Sequence, residues 1–326
     1  MKIHRGKIFI LILILLAVNI YSCSEKNNKK ESTGSSSKKA GEDKDKISSA
    51  GVKEGSVDFR VEYYSPRKIY KIEKEDLNGD GNREIVVLSV IKDSGSVSDY
   101  YNFDMMEIFS LDKSREKYEK IFSDTVDYSE ECRFESLAGD STRQILVYTN
   151  ARGNDKIMSS GMFVYGMDRE GKVNLIKYFD SGLPEIKDLN KDSTKQILIK
   201  DEYWGVMPHT EVIYYTKEIY IYENGNLLQS NQTFGEYYDK VINELKPRYY
   251  GLKRKLDAGM QAVDLSYPLY REALEVIVNY TAKGDMNELR KFWNEESDYL
   301  EKHIPGDEYT DMRDFIFKVL PTAKNA

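Results

Sequence analysis

The stretch Asp76–Leu88 reads D-L-N-G-D-G-N-R-E-I-V-V-L, a loop rich in oxygen-bearing side chains that leads directly into a run of strand-forming residues. Such side chains recur at alternate loop positions, Asp76, Asn78 and Asp80. Glu84 adds a carboxylate near the end of the loop, and Gly81, between Asp80 and Glu84, allows a sharp turn. Calcium takes about six to eight oxygen ligands, which alternate loop residues can point inward. The stretch therefore predicts a calcium loop that precedes a buried strand.

The same pattern occurs twice more. Ser136–Val147 reads S-L-A-G-D-S-T-R-Q-I-L-V, and Asp188–Ile199 reads D-L-N-K-D-S-T-K-Q-I-L-I. Aligning Asp80, Asp140 and Asp192 places successive loops 60 and 52 residues apart. Self-similarity at such a period is typical of stacked supersecondary units. Each loop is followed by further strand-forming runs, so we predict three sheet units of about three or four strands each.

These loops resemble the FG-GAP and VCBS repeats of integrin-type β-propellers, in which a D-x-[DN]-x-D-G-x-x-[DE] loop binds calcium and leads into a buried strand. The resemblance covers about twelve residues in each unit. It implies that residues 57–233 form three β-propeller-like sheet units. A ring of this kind usually has about four to eight blades, so the three units either are completed by weaker strands or form an open arc.

The resemblance also implies the calcium ligands of the first loop. Asp76, Asn78 and Asp80 would donate side-chain oxygens, as would Glu84. Asn82 would donate its backbone carbonyl oxygen. The alternative is a loop that satisfies its own backbone through turns of aspartate and asparagine, without a metal.

The other two loops depart from this ligand set. The third keeps Asp188, Asn190 and Asp192, but serine replaces its turn glycine and glutamine replaces its last carboxylate. Fewer charges weaken calcium binding, so the third loop is a weaker candidate site. The second loop has serine, alanine and glutamine at the ligand positions, and we expect no metal there.

From Phe234 onward the apolar period changes from two residues to about 3.6. The spacing predicts helices over residues 236–256, 266–283, 285–303 and 307–320, with Pro247 breaking or kinking the first. Apolar stripes of this kind usually mean burial. We therefore predict a small helical domain over residues 234–326 that packs on the sheet units, with a partner-docking domain as the alternative. The expected fold class is mainly β with α.

The first 23 residues predict the cellular address. Basic residues precede an apolar run over residues 8–18, which is shorter than the roughly 20 residues of a membrane-spanning helix. Residues 1–22 are therefore predicted to be a signal peptide. The run ends at Ile20-Tyr21-Ser22-Cys23, which resembles a bacterial lipobox and implies that Cys23 is acylated. Cleavage without acylation, or an uncleaved anchor, is the alternative.

Residues 23–56 are rich in serine, lysine, glycine and acids, with few large apolar side chains. Such a segment cannot bury enough surface to offset the entropy of ordering. It is predicted to be a tether between the lipid and the folded part. The protein is accordingly expected outside the cytoplasm, held on a bacterial membrane by its lipidated cysteine.

Composition narrows the function further. The chain has 48 basic and 55 acidic residues, a net charge of -7. Because nucleic-acid binding requires clustered positive charge, we expect no nucleic-acid partner. Acylation of Cys23 leaves Cys132 as the remaining cysteine, so no disulfide within the chain is expected. We predict that Cys132 is a buried apolar residue. The 25 tyrosines indicate sheet packing or, alternatively, a sugar- or peptide-binding face.

No familiar catalytic motif is present, and no catalytic residue is assigned. Trp204 and His209 fall in a long loop between two predicted strands, and are a possible ligand contact. Two functions follow. The first is a lipid-anchored, calcium-binding recognition or scaffold protein for a protein or glycan partner. The alternative is a cell-envelope hydrolase or lyase that uses a carboxylate pair on the β-repeat face.

Overall fold

The computed structural model of the chain describes residues 47–54, 57–91, 101–112, 114, 116–203 and 213–320. The predicted signal peptide and Cys23 lie outside the described residues, as do Trp204 and His209. Within them, the strands are β1 Ile47–Glu54, β2 Val57–Tyr64, β3 Arg67–Glu75, β4 Glu84–Ile91, β5 Phe103–Asp112, β6 Lys117–Glu135, β7 Gln144–Asn150, β8 Ser160–Met167, β9 Val173–Phe179, β10 Glu185–Lys187, β11 Gln196–Tyr203, β12 Ile213–Glu223 and β13 Asn226–Gln229. The helices are α1 Lys156–Ser159, α2 Gly235–Asp257, α3 Ala262–Lys283, α4 Met286–His303 and α5 Gly306–Val319, with a 3₁₀ turn at Asn231–Phe234 before α2.

The strands form three open antiparallel sheets. β1 pairs with β2, β3 to β9 form one seven-stranded sheet in chain order, and β10 to β13 form a four-stranded sheet. The prediction of a mainly β protein with a helical C-terminal region is confirmed. The prediction of three β-propeller-like sheet units is wrong, because within the described residues the sheets are open and no closed propeller unit forms.

Strand β6 is the physical reason for that error. It is 19 residues long. Its first part pairs with β5 and its last part pairs with β7, so two of the expected units share one strand. Tyr128 has a left-handed φ of 56° next to a register shift between Ser129 and Glu131. A bulge of this kind bends a strand, and the bend allows β6 to serve both halves of the sheet.

The third unit remains separate because the corresponding segment is interrupted. β9 ends at Phe179, and β10 begins only at Glu185. Between them Gly182 and Leu183 both have positive φ, and Pro184 follows. A proline lacks the N–H that a continuing ladder needs. The chain therefore leaves the seven-stranded sheet at this point and starts the four-stranded one.

Strand β4 is buried on both faces. Ile85 and Val87 share a buried cluster with Phe59 of the β1–β2 hairpin. Val86 shares a different cluster with Val147 of β7. Because β4 and β7 are three strands apart in the sheet, a shared core means that the sheet folds over at β6 and brings these two strands face to face.

The next strands continue the same layering. Leu146 of β7 shares a cluster with Ile197 of β11. Leu198 of β11 and Ile219 of β12 share the largest cluster with the helices. The order of layers is therefore hairpin, β4 layer, β7 layer, β11 layer and helices. Burial on both faces explains why these central strands are almost continuously apolar.

The helical region packs on the last layer through α3, which contacts β12 and is almost completely buried from Leu269 to Tyr280. Helix α2 passes through Pro247 as one helix, so the predicted break does not occur. No described helix is both long enough and apolar enough to cross a membrane. Residues 47–54, which the composition assigns to the tether, instead form β1 and pair with β2.

Candidate functional site

The three sequence loops occupy equivalent places in the fold. The first, residues 76–83, joins β3 to β4. The second, residues 136–143, joins β6 to β7, and the third, residues 188–195, joins β10 to β11. Each therefore enters the central strand of its layer. We call the three together the loop stack.

One hydrogen bond recurs in every loop. The backbone N–H of the loop leucine donates to the side chain that begins the central strand. The bonds are Leu77 to Glu84 Oε2 (3.1 Å), Leu137 to Gln144 Oε1 (2.9 Å) and Leu189 to Gln196 Oε1 (2.8 Å). Because glutamine serves in two of the three loops, this position holds the loop closed without needing a charge.

The loops are also bonded to one another. Arg143 N–H donates to the carbonyl of Leu77 at 3.0 Å, and Lys195 N–H donates to the carbonyl of Leu137 at 3.0 Å. Ion pairs accompany both bonds, with 3.5 Å between Glu75 Oε2 and Arg143 Nε in the first and Lys195 Nζ on the carboxylate of Glu135 in the second. Each loop is thus attached to the next by a backbone bond and a charge pair.

Two glycines permit this close approach. Gly79 and Gly139 have φ of 74° and 73°, a region that disfavours other residues. A Cβ on Gly79 would lie 2.3 Å from Ser141 Oγ, and one on Gly139 would lie 3.1 Å from the backbone of Ser193. Lys191 stands at the equivalent place in the third loop, beyond which the stack has no further loop among the described residues.

The first loop brings three of the predicted calcium ligands onto one exposed turn. Asp80 N–H lies 3.1 Å from both Asp76 Oδ1 and Asn78 Oδ1. Asp80 Oδ1 in turn accepts from Asn82 N–H at 2.7 Å. These oxygens are of the type that a hard cation prefers. Each of these three side chains also accepts a backbone N–H of the loop itself, as the metal-free alternative requires.

Glu84 is placed differently from the other predicted ligands. Its side chain is 1% exposed and its Oε1 accepts from Ser110 Oγ at 3.2 Å, while Oε2 accepts from Leu77 N–H. Burial raises the pKa of the Glu84 carboxyl. Among the described residues, no three histidine, cysteine or acidic side chains form a group that could hold a metal. The residues thus fit calcium in donor type but fall short in number, and calcium at the first loop stays a prediction.

The third loop closes as the first does, but it has serine in place of Gly81 and glutamine in place of Glu84. Asp188 accepts from Asp192 N–H at 3.2 Å and from Ser193 N–H at 3.0 Å. Asp192 accepts from the backbone and hydroxyl of Thr194, which lowers the pKa of its carboxyl. Asn190 lies on the same turn. The weaker calcium site proposed for this loop also stays a prediction.

A polar groove lies beside the loop stack. Its cavity volume is about 590 Å³, within the range of ligand-binding clefts. Asn78 and Asp140 line it from the first two loops, and Asp168 and Arg169 line it from the β8–β9 turn. Asn224 lines it from the β12–β13 turn. Elements from all three layers therefore converge on one groove, which sequence spacing did not reveal.

The groove combines polar groups with a ring and apolar side chains. Asn174, Tyr222 and Ile176 also line it. Ala138 lines the groove at the position where the other loops carry Asn78 and Asn190. The second loop thus presents a methyl group to the groove where the first loop presents the amide of Asn78. The signal that could have indicated the groove is this alanine, read together with the two hairpin turns.

Cys132 and the acids outside the groove offer less. Burial raises the pKa of the Cys132 thiol to about 12, as expected for a packed side chain. Glu272 and Glu275 of α3 form a carboxylate pair, and burial raises the pKa of Glu275 to about 7. Arg271 Nε donates to Glu275 Oε1 at 3.4 Å. This pair lies in the helical region rather than on the β-repeat face.

No model of a protein family matches the chain, and no curated protein matches it. The resemblance of the loops to FG-GAP and VCBS repeats therefore stays a prediction.

Proposed function

We propose that the chain is a lipid-anchored, extracytoplasmic, calcium-binding recognition module that binds a glycan in the groove beside the loop stack. The observation that carries this proposal is the groove itself, because loops and hairpin turns from all three layers meet there. Binding residues are commonly placed on loops that a rigid scaffold positions. The stacked loops supply such a scaffold.

The chemistry of the groove favours a hydroxyl-rich ligand. Asparagine side chains can both donate to and accept from sugar hydroxyls, and aspartate carboxylates can accept from them. Tyr222 and Ile176 supply apolar surface for the faces of a sugar ring. Arg169 adds a guanidinium, which recognises carboxylates in bidentate geometry. An acidic sugar within the glycan would use all three kinds of contact.

Among the described residues, three carboxylates line the groove, those of Asp140, Asp168 and Glu223, and the first two are arranged for binding rather than hydrolysis. Asp140 Oδ1 accepts from Thr142 N–H at 2.9 Å and from Thr142 Oγ1 at 2.6 Å. Asp168 Oδ1 accepts two backbone N–H groups of its own turn, both at 2.9 Å. Each carboxylate is thus held by the turn that carries it. Such fixed acceptors suit recognition, in which pre-positioned groups lower the entropic cost of binding.

The test uses the mature chain with Cys23→Ser, which removes the acylation site and leaves every described residue unchanged. Glycan and peptide arrays identify ligands, and calorimetry measures their affinity. We expect acidic glycans to bind. Asn174→Ala and Arg169→Ala should each weaken binding about tenfold, as loss of one hydrogen bond to a charged or amide group does. Asn287→Ala, on exposed α4 surface, is the matched control and should change nothing.

Other outcomes separate the competing functions. Peptides that bind in place of glycans, with the same loss in both variants, would identify a protein partner. New reducing ends after incubation with oligosaccharides would identify the hydrolase alternative. If every ligand ignores both groove variants, the groove is not the binding site and the proposal is wrong.

A further inference from the structure

The contacts inside the loop stack define what one loop offers and what the next receives. The first loop offers the carbonyl of Leu77, the carboxylate of Glu75 and the bare backbone of Gly79. The second loop receives these with the N–H and guanidinium of Arg143 and with Ser141. A loop thus offers an acid, a carbonyl and a glycine, and receives with a cation, an N–H and a small residue.

The third loop cannot offer the same set. Lys187 stands where the preceding loops have Glu75 and Glu135, and Lys191 stands where they have glycine. If a further loop approached this end, its basic side chain would meet the ammonium group of Lys187 instead of a carboxylate. The loop would also meet a side chain in the space that a glycine leaves open. The end of the stack that faces the helices is therefore closed to another loop.

The opposite end of the stack is built to receive. Arg83 stands at the position of Arg143 and Lys195, and Gly81 stands at the position of the small serine. Both are exposed, and a Cβ on Gly81 would have nothing within 4 Å. Among the described residues, none accepts a hydrogen bond from Arg83 N–H and none forms an ion pair with its side chain. The groups that receive a neighbouring loop are therefore present at this end, but no described loop lies against them.

We propose that this open end, formed by Gly81 and Arg83, binds a turn of a different protein with the chemistry Glu-X-Leu-X-Gly. The carbonyl of the partner leucine accepts from Arg83 N–H, and its glutamate pairs with the guanidinium. Its glycine lies against Gly81. A second copy of this chain is not that partner, because its own closed end presents Lys187 and Lys191. The surface is distinct from the groove, so either proposal can fail without the other.

The test uses a variant of the chain as the probe. Lys187→Glu with Lys191→Gly gives the third loop the same E-D-L-N-G sequence as residues 75–79. The probe chain also carries Arg83→Glu, which removes its own receiving group and so prevents head-to-tail binding between copies of the probe. It is added to ¹⁵N-labelled mature chain carrying Cys23→Ser, and amide spectra and sedimentation are recorded. We expect the amide signals of Gly81 and Arg83 to shift with probe concentration and the sedimenting mass to rise from one chain to two. The Arg143 amide, already bonded within the stack, should not shift.

Three controls decide the outcome. Arg83→Glu in the labelled chain should abolish the shift at Gly81. Unlabelled chain with Lys172→Glu, a reversal on an exposed turn, should produce no shift. A cyclic peptide with the sequence of residues 75–84 is a second probe that needs no folded variant. The proposal is overturned if neither probe shifts Gly81 and Arg83, or if the Lys172→Glu chain shifts them equally.

Discussion

At the scale of single residues, one glycine in the first loop and one in the second decide whether neighbouring loops can come into contact. Gly79 and Gly139 combine left-handed backbone with a neighbour inside van der Waals distance. Alanine at either position adds backbone strain and a steric clash. We expect Gly79→Ala and Gly139→Ala each to lower the free energy of unfolding by about 1–3 kcal/mol, measured by urea denaturation.

Lys191→Gly supplies the comparison for those two variants. Its φ of 59° is already left-handed, and it lies at the end of the stack, so glycine there relieves strain. We expect no loss of stability. A Gly139→Ala chain as stable as the unsubstituted protein would contradict the close stacking of the loops.

A second residue-scale prediction concerns calcium. If the ion binds the exposed turn of the first loop, the calorimetric melting temperature should rise with calcium and return to its original value with chelator. At a calcium concentration a hundredfold above the dissociation constant, binding adds about 2.7 kcal/mol to the free energy of unfolding. Asp80→Asn keeps an oxygen acceptor for Asn82 N–H but removes the charge. This variant should therefore abolish the calcium response, while its melting temperature in the presence of chelator should change little.

Glu84→Gln tests whether calcium binds the exposed turn alone or also takes the carboxylate of Glu84 as a ligand. Because Gln144 and Gln196 make the same bond to the loop leucine, this variant should fold normally and keep its calcium response. Asp140→Asn in the second loop is the control. A melting temperature indifferent to calcium would remove the metal from the proposed function, and a response lost in Glu84→Gln would mean that this side chain turns outward to bind.

The buried Glu275 predicts a dependence of stability on pH. Burial raises its pKa in the folded chain from 4.5 to about 7. Between those pH values the folded chain holds a proton that the unfolded chain has released, so the free energy of unfolding falls as pH rises. The full effect above pH 7 is about 3 kcal/mol.

Glu275→Gln should flatten this slope, and the exposed Glu301→Gln should leave it unchanged. Urea denaturation at intervals from pH 4.5 to pH 8 measures both. Equal slopes in the original and Glu275→Gln chains would assign the pH dependence to other groups.

At the scale of elements, the sequence was sufficient for the central strands and insufficient for their joins. The runs that begin at Ile85, Ile145 and Ile197 follow the loops as predicted, because burial on both faces requires apolar residues throughout. Local sequence could not show that β6 continues through Tyr128, since the bend depends on pairing with strands on either side. Helix α2 likewise tolerates Pro247 because Leu245 and Tyr249 beside it are buried in the helical core.

The β1–β2 hairpin gives the element-scale prediction. It covers the outer face of β4, where Phe59 shares a cluster with Ile85 and Val87. Deleting residues 1–44 removes no described strand, and the shortened chain should melt as the chain that begins at residue 23 does. Deleting residues 1–56 removes β1 and leaves β2 unpaired, so we expect a lower melting temperature and aggregation through the exposed edge. Equal melting of the two fragments would show that the hairpin is not needed to cover the layer.

At the scale of the whole molecule, the layers explain which parts of the site were visible in the sequence. The loops repeat, so their equivalence could be predicted from the positions of Asp80, Asp140 and Asp192. The groove and the open end of the stack depend on how layers are placed against one another. Repeated units need terminal coverings that differ from the repeat, and here a hairpin and a set of helices fill those roles. The apolar spacing predicted the helices, whereas composition assigned residues 47–54 of the hairpin to the tether.

The position of the helices at the end of the chain has a consequence for synthesis. Leu198 and Ile219 are fully buried only against helices that begin at residue 235. During synthesis, the face of the last sheet stays exposed to solvent and prone to aggregation until the final quarter of the chain has been made. Premature termination in that quarter should therefore yield sticky, protease-sensitive products rather than a shorter working protein, and maturation of the whole molecule waits for its last segment.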